Sequence, residues 1–283
     1  MNYRHAFHAG NFADVVKHAT LARILVHLRD KERGFRVIDT HAGAGLYDLA
    51  SDEASRTGEW REGIGRLVAA QLSSDLRALV APYLDAVAAA NGGGDLRRYP
   101  GSPLIAVGLM RPQDRLVACE LEPGAATALA SNLRHDARAR AVAIDGWMAL
   151  NAYVPPQERR GVVFVDPPYE DKNEFERLAD AVAAAHRKWE TGVVLLWYPI
   201  KDHAGPGLLA AALRRSRIGK TLRAELELPP AGELSRLSGA GLIVVNPPWR
   251  LADELAQLLS GLRMVFRPEP GGRAAIDWIA GAS

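Results

Sequence analysis
Short continuous runs of apolar residues alternate along this chain with apolar residues at helical spacing. The runs at 35–39, 116–120, 141–145, 162–166, 193–197, 222–228 and 242–246 are rich in Val, Ile and Leu. Such runs suit strands covered on both faces of a sheet. Between several of them the pattern turns helical, as at 125–134 and 175–188. Alternation of this kind predicts an α/β fold with a doubly wound, mostly parallel sheet.

Two segments break the alternation. Residues 11–29 read as an amphipathic helix ahead of the first strand, with Asn11 as its N-cap and Asp14 three residues on. Residues 58–91 read as helical throughout and end in Gly92–Gly93–Gly94, a flexible join. The expected organisation is a main domain over 1–50 and 97–283, with 1–30 as an N-terminal cap, and a small helical insertion over 51–96.

Composition narrows the class. The chain has 283 residues and is 48% hydrophobic, enough for one large core or one core with an insert. No apolar stretch is long enough to span a bilayer, and no apolar leader opens the chain. The single cysteine, Cys119, excludes a disulfide framework and a multi-cysteine zinc site. A cytoplasmic protein is the expectation. The formal net charge of +2 does not itself point to nucleic acid. Basic residues cluster at Arg29–Lys31–Arg33–Arg36, Arg97–Arg98, Arg134–Arg138–Arg140 and Arg214–Arg215–Arg217–Lys220, several near helix ends where cations favour the helix itself.

The first candidate chemistry follows the first strand. Asp39–Thr40–His41–Ala42–Gly43–Ala44–Gly45 is the methyltransferase form of a glycine-rich nucleotide turn. Gly43 and Gly45 let backbone approach a ligand without a Cβ clash. A plain tight turn has the same composition, so this segment alone leaves both readings open. Glu120 ends the second strand, where a carboxylate can accept both ribose hydroxyls; Glu122 is expected to be solvated. Glu120 lies much further from the glycines than the usual about 20 residues, and the helical insert accounts for the excess. Asp145, before Gly146, ends the third strand, where such folds reach the cofactor's adenine; an Asp-Gly turn is the alternative.

The sharpest signal is Asp166–Pro167–Pro168–Tyr169 after the fourth strand. Amino-group methyltransferases of nucleobases share such a tetrapeptide. An exocyclic amine delocalises its lone pair into the ring. Accepting both of its N–H groups, with Asp166 and the Pro167 carbonyl, frees that lone pair. The prolines stiffen the turn, and Tyr169 can stack on an unstacked base. Asn246–Pro247–Pro248–Trp249 also fits the loose motif. Asp166 is preferred because it follows the glycine turn, Glu120 and Asp145 in order, and because its strand should lie beside the first, at the switch point.

With these residues placed, the chain resembles the RlmJ family over essentially its full length. The resemblance is carried by YRHAFHAGN at 3–11, Ala13–Asp14–Val15, Lys17–His18, DTHAGAG at 39–45, YPGSPL at 99–104, DPPY at 166–169, LWYP at 196–199 and NPPW at 246–249. It implies a monomeric class I (Rossmann-like) methyltransferase with an inserted helical subdomain. The implied reaction transfers methyl from S-adenosyl-L-methionine (SAM) to N6 of one adenine in 23S ribosomal RNA. It also implies site roles. His18, His41, Ser102, Glu120, Asp145, Gly146 and Asp166 would line the SAM pocket with Gly43 and Gly45. Tyr3, Arg4 and Lys17 would lie near the entering adenine with Tyr169.

Other readings remain. A DNA adenine-N6 or cytosine-N4 methyltransferase uses the same tetrapeptide, but no separate sequence-reading domain is visible. Glutamine-N5 methylation usually has Asn where Asp166 stands. A nucleic-acid-binding module of this fold without catalysis would have no need of an intact Asp166, Tyr169 and glycine turn. His5, His8 and His18 suggest a metal, but no acid or cysteine stands at ligand spacing, and none is expected.

Overall fold
The computed structural model of the chain describes residues 4–171, 173–229 and 237–281. Its first long element is helix α1 (Phe12–Arg29), started by Asn11, whose side chain accepts the Asp14 N–H at 2.9 Å. A short strand, β1 (Arg36–Asp39), follows. Next comes a two-stranded ribbon, β2 (Leu46–Asp48) with β3 (Arg98–Pro100). Between the ribbon strands lie α2 (Asp52–Thr57), a π-helical turn over Arg61–Gly65, α3 (Arg66–Ala69) and α4 (Ser74–Ala90). The remainder alternates: α5 (Ser102–Leu109), β4 (Arg115–Glu120), α6 (Pro123–Leu133), β5 (Ala139–Ala143), α7 (Gly146–Ala152), β6 (Gly161–Val165), α8 (Glu174–Lys188), β7 (Val193–Ile200), α9 (Ala204–Arg215), β8 (Thr221–Glu227), β9 (Gly239–Val245), α10 (Leu251–Phe266) and β10 (Arg273–Ala280).

The large strands form one sheet in the order β10-β8-β9-β7-β6-β1-β4-β5. From β7 to β5 the pairing is parallel; β9 is antiparallel to β7 and β8, and β10 to β8. The chain runs outward from β1 through β4 to β5, then returns to place β6 on the other side of β1. Loops leaving β1 and β6 therefore diverge and open a crevice. This is the class I methyltransferase architecture the sequence implies.

Continuous apolar runs are explained by burial on both faces. In β6, Val162 and Phe164 join the core with α1, α4, α5 and α10, while Val163 and Val165 join the core with α8 and α9. Every run predicted as a strand lies in this sheet, with ends shifted by a few residues. The ribbon and β10 were not anticipated. Their residues include Arg98, Pro100, Arg273 and Asp277, so they lack the apolar continuity of a central strand.

The segment at 58–91 is not one helix. Ser73 breaks it by capping α4, accepting the Leu76 N–H at 3.3 Å. Helix α4 packs on α1, α5 and α10 and shares the main core. The Gly92–Gly93–Gly94 join is tied rather than loose. The Asn91 amide oxygen accepts the Arg97 and Arg98 N–H groups at 2.9 and 2.8 Å, and its amide nitrogen donates to the Val87 and Arg98 carbonyls at 2.8 and 2.9 Å. Asn91→Ala should lower the unfolding free energy by about 1–2 kcal/mol, read as a shifted urea midpoint at unchanged slope; an unchanged midpoint would show that the turn closes without this side chain.

Candidate active site
Parallel pairing brings the C-terminal ends of β1, β4, β5 and β6 to one edge of the sheet, and a cavity of about 720 Å³ opens there. The glycine turn forms its floor. Gly43 has φ +61, and a Cβ on it would stand 2.1 Å from the Tyr47 hydroxyl. The Gly43 N–H donates to Glu120 Oε2 and the Glu122 N–H to Glu120 Oε1, both at 2.8 Å. Glu120 is thus held by both oxygens before any ligand arrives, with spare lone pairs for hydroxyl donors. Glu122, expected to be solvated, is exposed but caps α6 by accepting the Gly124 and Ala125 N–H groups.

Gly45 does not line the cavity. Its φ is +79, and its carbonyl accepts the Gly101 N–H at 2.8 Å, anchoring the loop that brings Ser102 to the cavity wall. Asp145 satisfies both sequence readings at once. Its Oδ1 caps α7, accepting the Trp147 and Met148 N–H groups at 2.8 and 3.2 Å, and the residue lines the cavity. Gly146 is required at this junction, because a Cβ would come within 2.4 Å of the Thr40 carbonyl.

Two histidines on the wall are neutral. Burial pushes His18 down to about 3, against the pull of Asp14. His18 Nδ1 and the Tyr99 hydroxyl share a hydrogen bond at 2.7 Å. Burial likewise pushes His41 down to about 4, with Asp145 pulling the other way. Its ring meets Trp147 edge-on at 5.4 Å. Beneath the turn, burial pushes Asp39 up to about 7, against the nearby Ser102 hydroxyl and His41 N–H. Neither Asp39 oxygen reaches a partner at hydrogen-bonding geometry. The cavity volume and the pre-held Glu120 suit a ligand of SAM's size carrying hydroxyl donors.

Asp166–Pro167–Pro168–Tyr169 leaves β6 at the same edge. Asp166 Oδ2 accepts from Lys17 Nζ, and Lys17 also pairs with Asp14 Oδ1 at 2.9 Å. Asp14 Oδ2 in turn takes the Gly10 N–H at 2.8 Å and His5 Nε2 at 3.0 Å. Burial opposes the Lys17 charge, but Asp14 and Asp166 outweigh it and hold its pKa above the ordinary lysine value. For Asp14, burial again works against charge, and His5 and Lys17 hold its pKa well below the usual range. Tyr169 has φ +53; its hydroxyl donates to the Trp197 carbonyl at 2.5 Å, and its ring meets Trp197 edge-on at 5.6 Å.

A second cavity of about 640 Å³ lies on the other side of this turn, lined by Asp14, Lys17, Tyr169, Trp197 and Lys201 among others. His5, Pro167 and Pro168 line both cavities. Lys17 and Tyr169, which the resemblance puts near the entering adenine, line this second cavity and not the one above the glycine turn. Arg4 instead lines the first cavity and pairs with Glu53 at 3.3 Å. Tyr3 lies outside the described residues. The second tetrapeptide is remote from both cavities, because β9 runs antiparallel to β7 and ends at the opposite edge.

Three contributors were missed. Asp14 read only as a helix-start residue, although its spacing of three from Lys17 puts both on one helical face. His5 read as a metal candidate and instead bonds Asp14. Trp197 stood within a quoted motif without a role, yet its ring faces Lys17 Nζ at 4.9 Å.

Comparison with known proteins bears on this arrangement. A family model described as ribosomal RNA large subunit methyltransferase D, RlmJ, matches residues 32–280. The ribosomal RNA large subunit methyltransferase J of Escherichia coli (strain K12) is 40% identical over 279 residues, 99% of either chain. Its namesake in Haemophilus influenzae is 38% identical over 280 residues, again 99% of either chain. A crystal structure of a Legionella pneumophila protein superposes with a TM-score of 0.87 at 35% identity, covering 97% of this chain and 99% of that one.

The Asp39 environment makes a prediction with a definite sign. Its ordinary value is 3.8 and its folded value is about 7. The folded form therefore holds a proton that the unfolded chain has lost, and stability falls as pH rises toward 7. Asp39→Asn removes the buried charge and leaves the histidines unchanged. Its gain in thermal midpoint over the parent should grow from about pH 5 to about pH 7 and then level off. A gain of the same size at every pH would mean that Asp39 is not a strained carboxylate.

Proposed function
We propose, from the premise that this chain belongs to the family of ribosomal RNA large subunit methyltransferase D, RlmJ, that it transfers the methyl group of SAM to N6 of one adenine in 23S ribosomal RNA. Membership makes it an rRNA methyltransferase. The finer reading rests on one observation. The Lys17–Asp166 pair and the Pro167–Pro168 turn stand between a cavity suited to SAM and a cavity with room for a base.

SAM, when bound, supplies a methyl on a sulfonium, an electrophile that needs no metal to activate it. The chain's own residues do the remaining work. Glu120 takes the ribose hydroxyls, Asp145 and Gly146 flank the cofactor's adenine, and His18, His41, Gly43 and Ser102 close around it. Gly45 acts from behind, by holding the Gly101 loop. In the second cavity, Tyr169 and Trp197 offer aromatic faces to an adenine taken out of its stack. Asp166 Oδ1 and the Pro167 carbonyl accept the two amino N–H groups. Lys17 holds Asp166 Oδ2, so the carboxylate is oriented before substrate enters. Oδ1 then takes the departing proton, directly or through water. Lys17 keeps its own proton and acts by position. Arg4 stands at the cofactor side.

The same reading takes 1–50 and 97–283 as the catalytic domain, 1–30 as its cap and 51–96 as an insertion. It takes the protein to act as a metal-free monomer in the cytoplasm. No helix among the described residues is long and apolar enough to cross a membrane.

Labelled methyl transfer from SAM to unmodified 23S rRNA, with duplex DNA in parallel and nucleoside analysis of the product, tests this. N6-methyladenosine should form in the RNA alone. Asp166→Asn should reduce turnover by about 10²–10⁴-fold, with SAM affinity by calorimetry little changed. Label in DNA, or recovered as N4-methylcytosine, would replace the substrate assignment.

A further inference from the structure
The tetrapeptide Asn246–Pro247–Pro248–Trp249 has no part in the site, yet its surroundings are unusual. Antiparallel β9 delivers it to the edge of the sheet opposite both cavities, here called the base. The Asn246 N–H donates to the Lys220 carbonyl at 2.9 Å, and its amide nitrogen donates to the Glu190 and Gly192 carbonyls at 2.7 and 2.8 Å. The bonds fix the loop and push Trp249 outward, where it is 92% exposed. No other large apolar side chain among the described residues is as exposed. A rigidly presented indole in water is a recognition feature more often than a packing one.

The base also gathers cations. The segment RRSRIGK at 214–220 holds four of them and no acid. Arg29, Lys31, Arg33, Arg217, Lys220 and Arg250 are exposed, and none has an ion-pair partner among the described residues. They lie along one edge of the sheet, where they outnumber the exposed acids Asp30, Glu32 and Glu190. Glu254, one turn into α10, pairs with Arg23 and His27 of α1, which sets Trp249–Arg250 beside the loop after α1. From β1 through β6, β7 and β9 to β8 the strands are successive neighbours. At about 4.8 Å per step, the base spans about 20 Å, close to the width of a nucleic-acid duplex.

Helix dipoles explain part of this. Arg29, Arg214 and Arg215 stand in the last turns of α1 and α9, where cations are stabilising. Arg159, Arg217 and Lys220 lie outside helices with φ of +55, +55 and +48. Five non-glycine residues among those described have positive φ: Tyr169 is in the site, and Arg159, Arg217, Lys220 and Asn246 are all at the base. Glycine would sit there with less strain, so a cation at such a position points to use of its side chain. The second cavity, which takes the adenine in the reading above, is lined by Asp14, Glu59 and Glu62 as well as Lys17, Lys201 and Arg267, so its rim has no excess of cations. RNA reaching that rim gains little from phosphate attraction there.

We propose that the base of the sheet is a second RNA-contacting surface, which grips the phosphate backbone of the substrate rRNA away from the target adenine while Trp249 stacks on an unpaired base. This rests on the rRNA reading above. Catalysis would then occur at one edge of the sheet and much of the affinity would arise at the other.

The test uses the exposed variants Arg217→Glu/Lys220→Glu and Trp249→Ala, checked for an unchanged thermal midpoint. Two probes are compared: whole unmodified 23S rRNA, and a short hairpin carrying the adenine that the parent protein methylates. With whole rRNA, the charge reversal should lower kcat/KM about tenfold or more and reduce the slope of log affinity against log salt by about two. Trp249→Ala should weaken binding and leave the salt slope unchanged. Hairpin turnover should match the parent for both. Equal losses on both probes, or none on either, overturn the proposal; the latter would point to an acidic protein as the partner of this face. Filter binding of 23S rRNA needs no methyl transfer. If the parent methylates no RNA, the substrate reading falls, and coincident isotherms for parent and variant still overturn the proposal by themselves.

Discussion
A lysine ammonium buried between two carboxylates joins the first helix of this protein to the end of its fourth parallel strand. Removing ions from water costs several kcal/mol each, so such a group persists only when its partners are placed for it. Asp14 is placed by the Asn11 cap and by the Gly10 N–H and His5 that it binds. Asp166 is placed by β6 and by two prolines that leave its backbone little freedom. Lys17 then closes the circuit, and the N-terminal segment becomes a wall of the site. The arrangement of the two cavities follows from that contact, since the turn bearing Asp166 is what stands between them.

Around this link the sheet acts as a sorting device. Parallel strands send the glycine turn, Glu120, Asp145 and Asp166 to one edge. The reversal at β9 sends a tetrapeptide of nearly the same composition to the other. Asp166 and Asn246 each follow a buried apolar strand and each precede Pro-Pro and an aromatic. One lines the first cavity and the other fastens a surface loop to Glu190 and Gly192. Strand direction, rather than local sequence, separates their roles.

Close approach is the second recurring constraint. Gly43 keeps clear of the Tyr47 hydroxyl, and Gly146 lets the start of α7 lie against Thr40. Both positions let backbone form the cavity wall, which suits a ligand recognised through hydroxyl and amino groups. Burial does the rest, keeping His18 and His41 uncharged beside a site where a sulfonium is expected.

Local pattern determined a good deal. Continuous apolar runs set the strands, because a strand covered on both faces has no polar alternation. Asn11 and Asp145 were legible as caps because each bonds N–H groups two or three residues on, and the glycine turn, Glu120 and the tetrapeptide at 166 stood out because each directly follows an apolar strand run. The ribbon at 46–48 and 98–100 and the edge strand β10 were not legible, since edge positions carry mixed side chains and their pairing is decided by distant partners. The same limit hid His5, Asp14 and Trp197 as parts of the site, and hid the difference between the two Pro-Pro motifs. Whether a carboxylate caps a helix, lines a cavity or holds a lysine depends on what a distant stretch of chain brings beside it. Spacing along the chain carries no record of that, because the contacts are made through space and the strand direction that creates them is fixed only when the whole sheet closes.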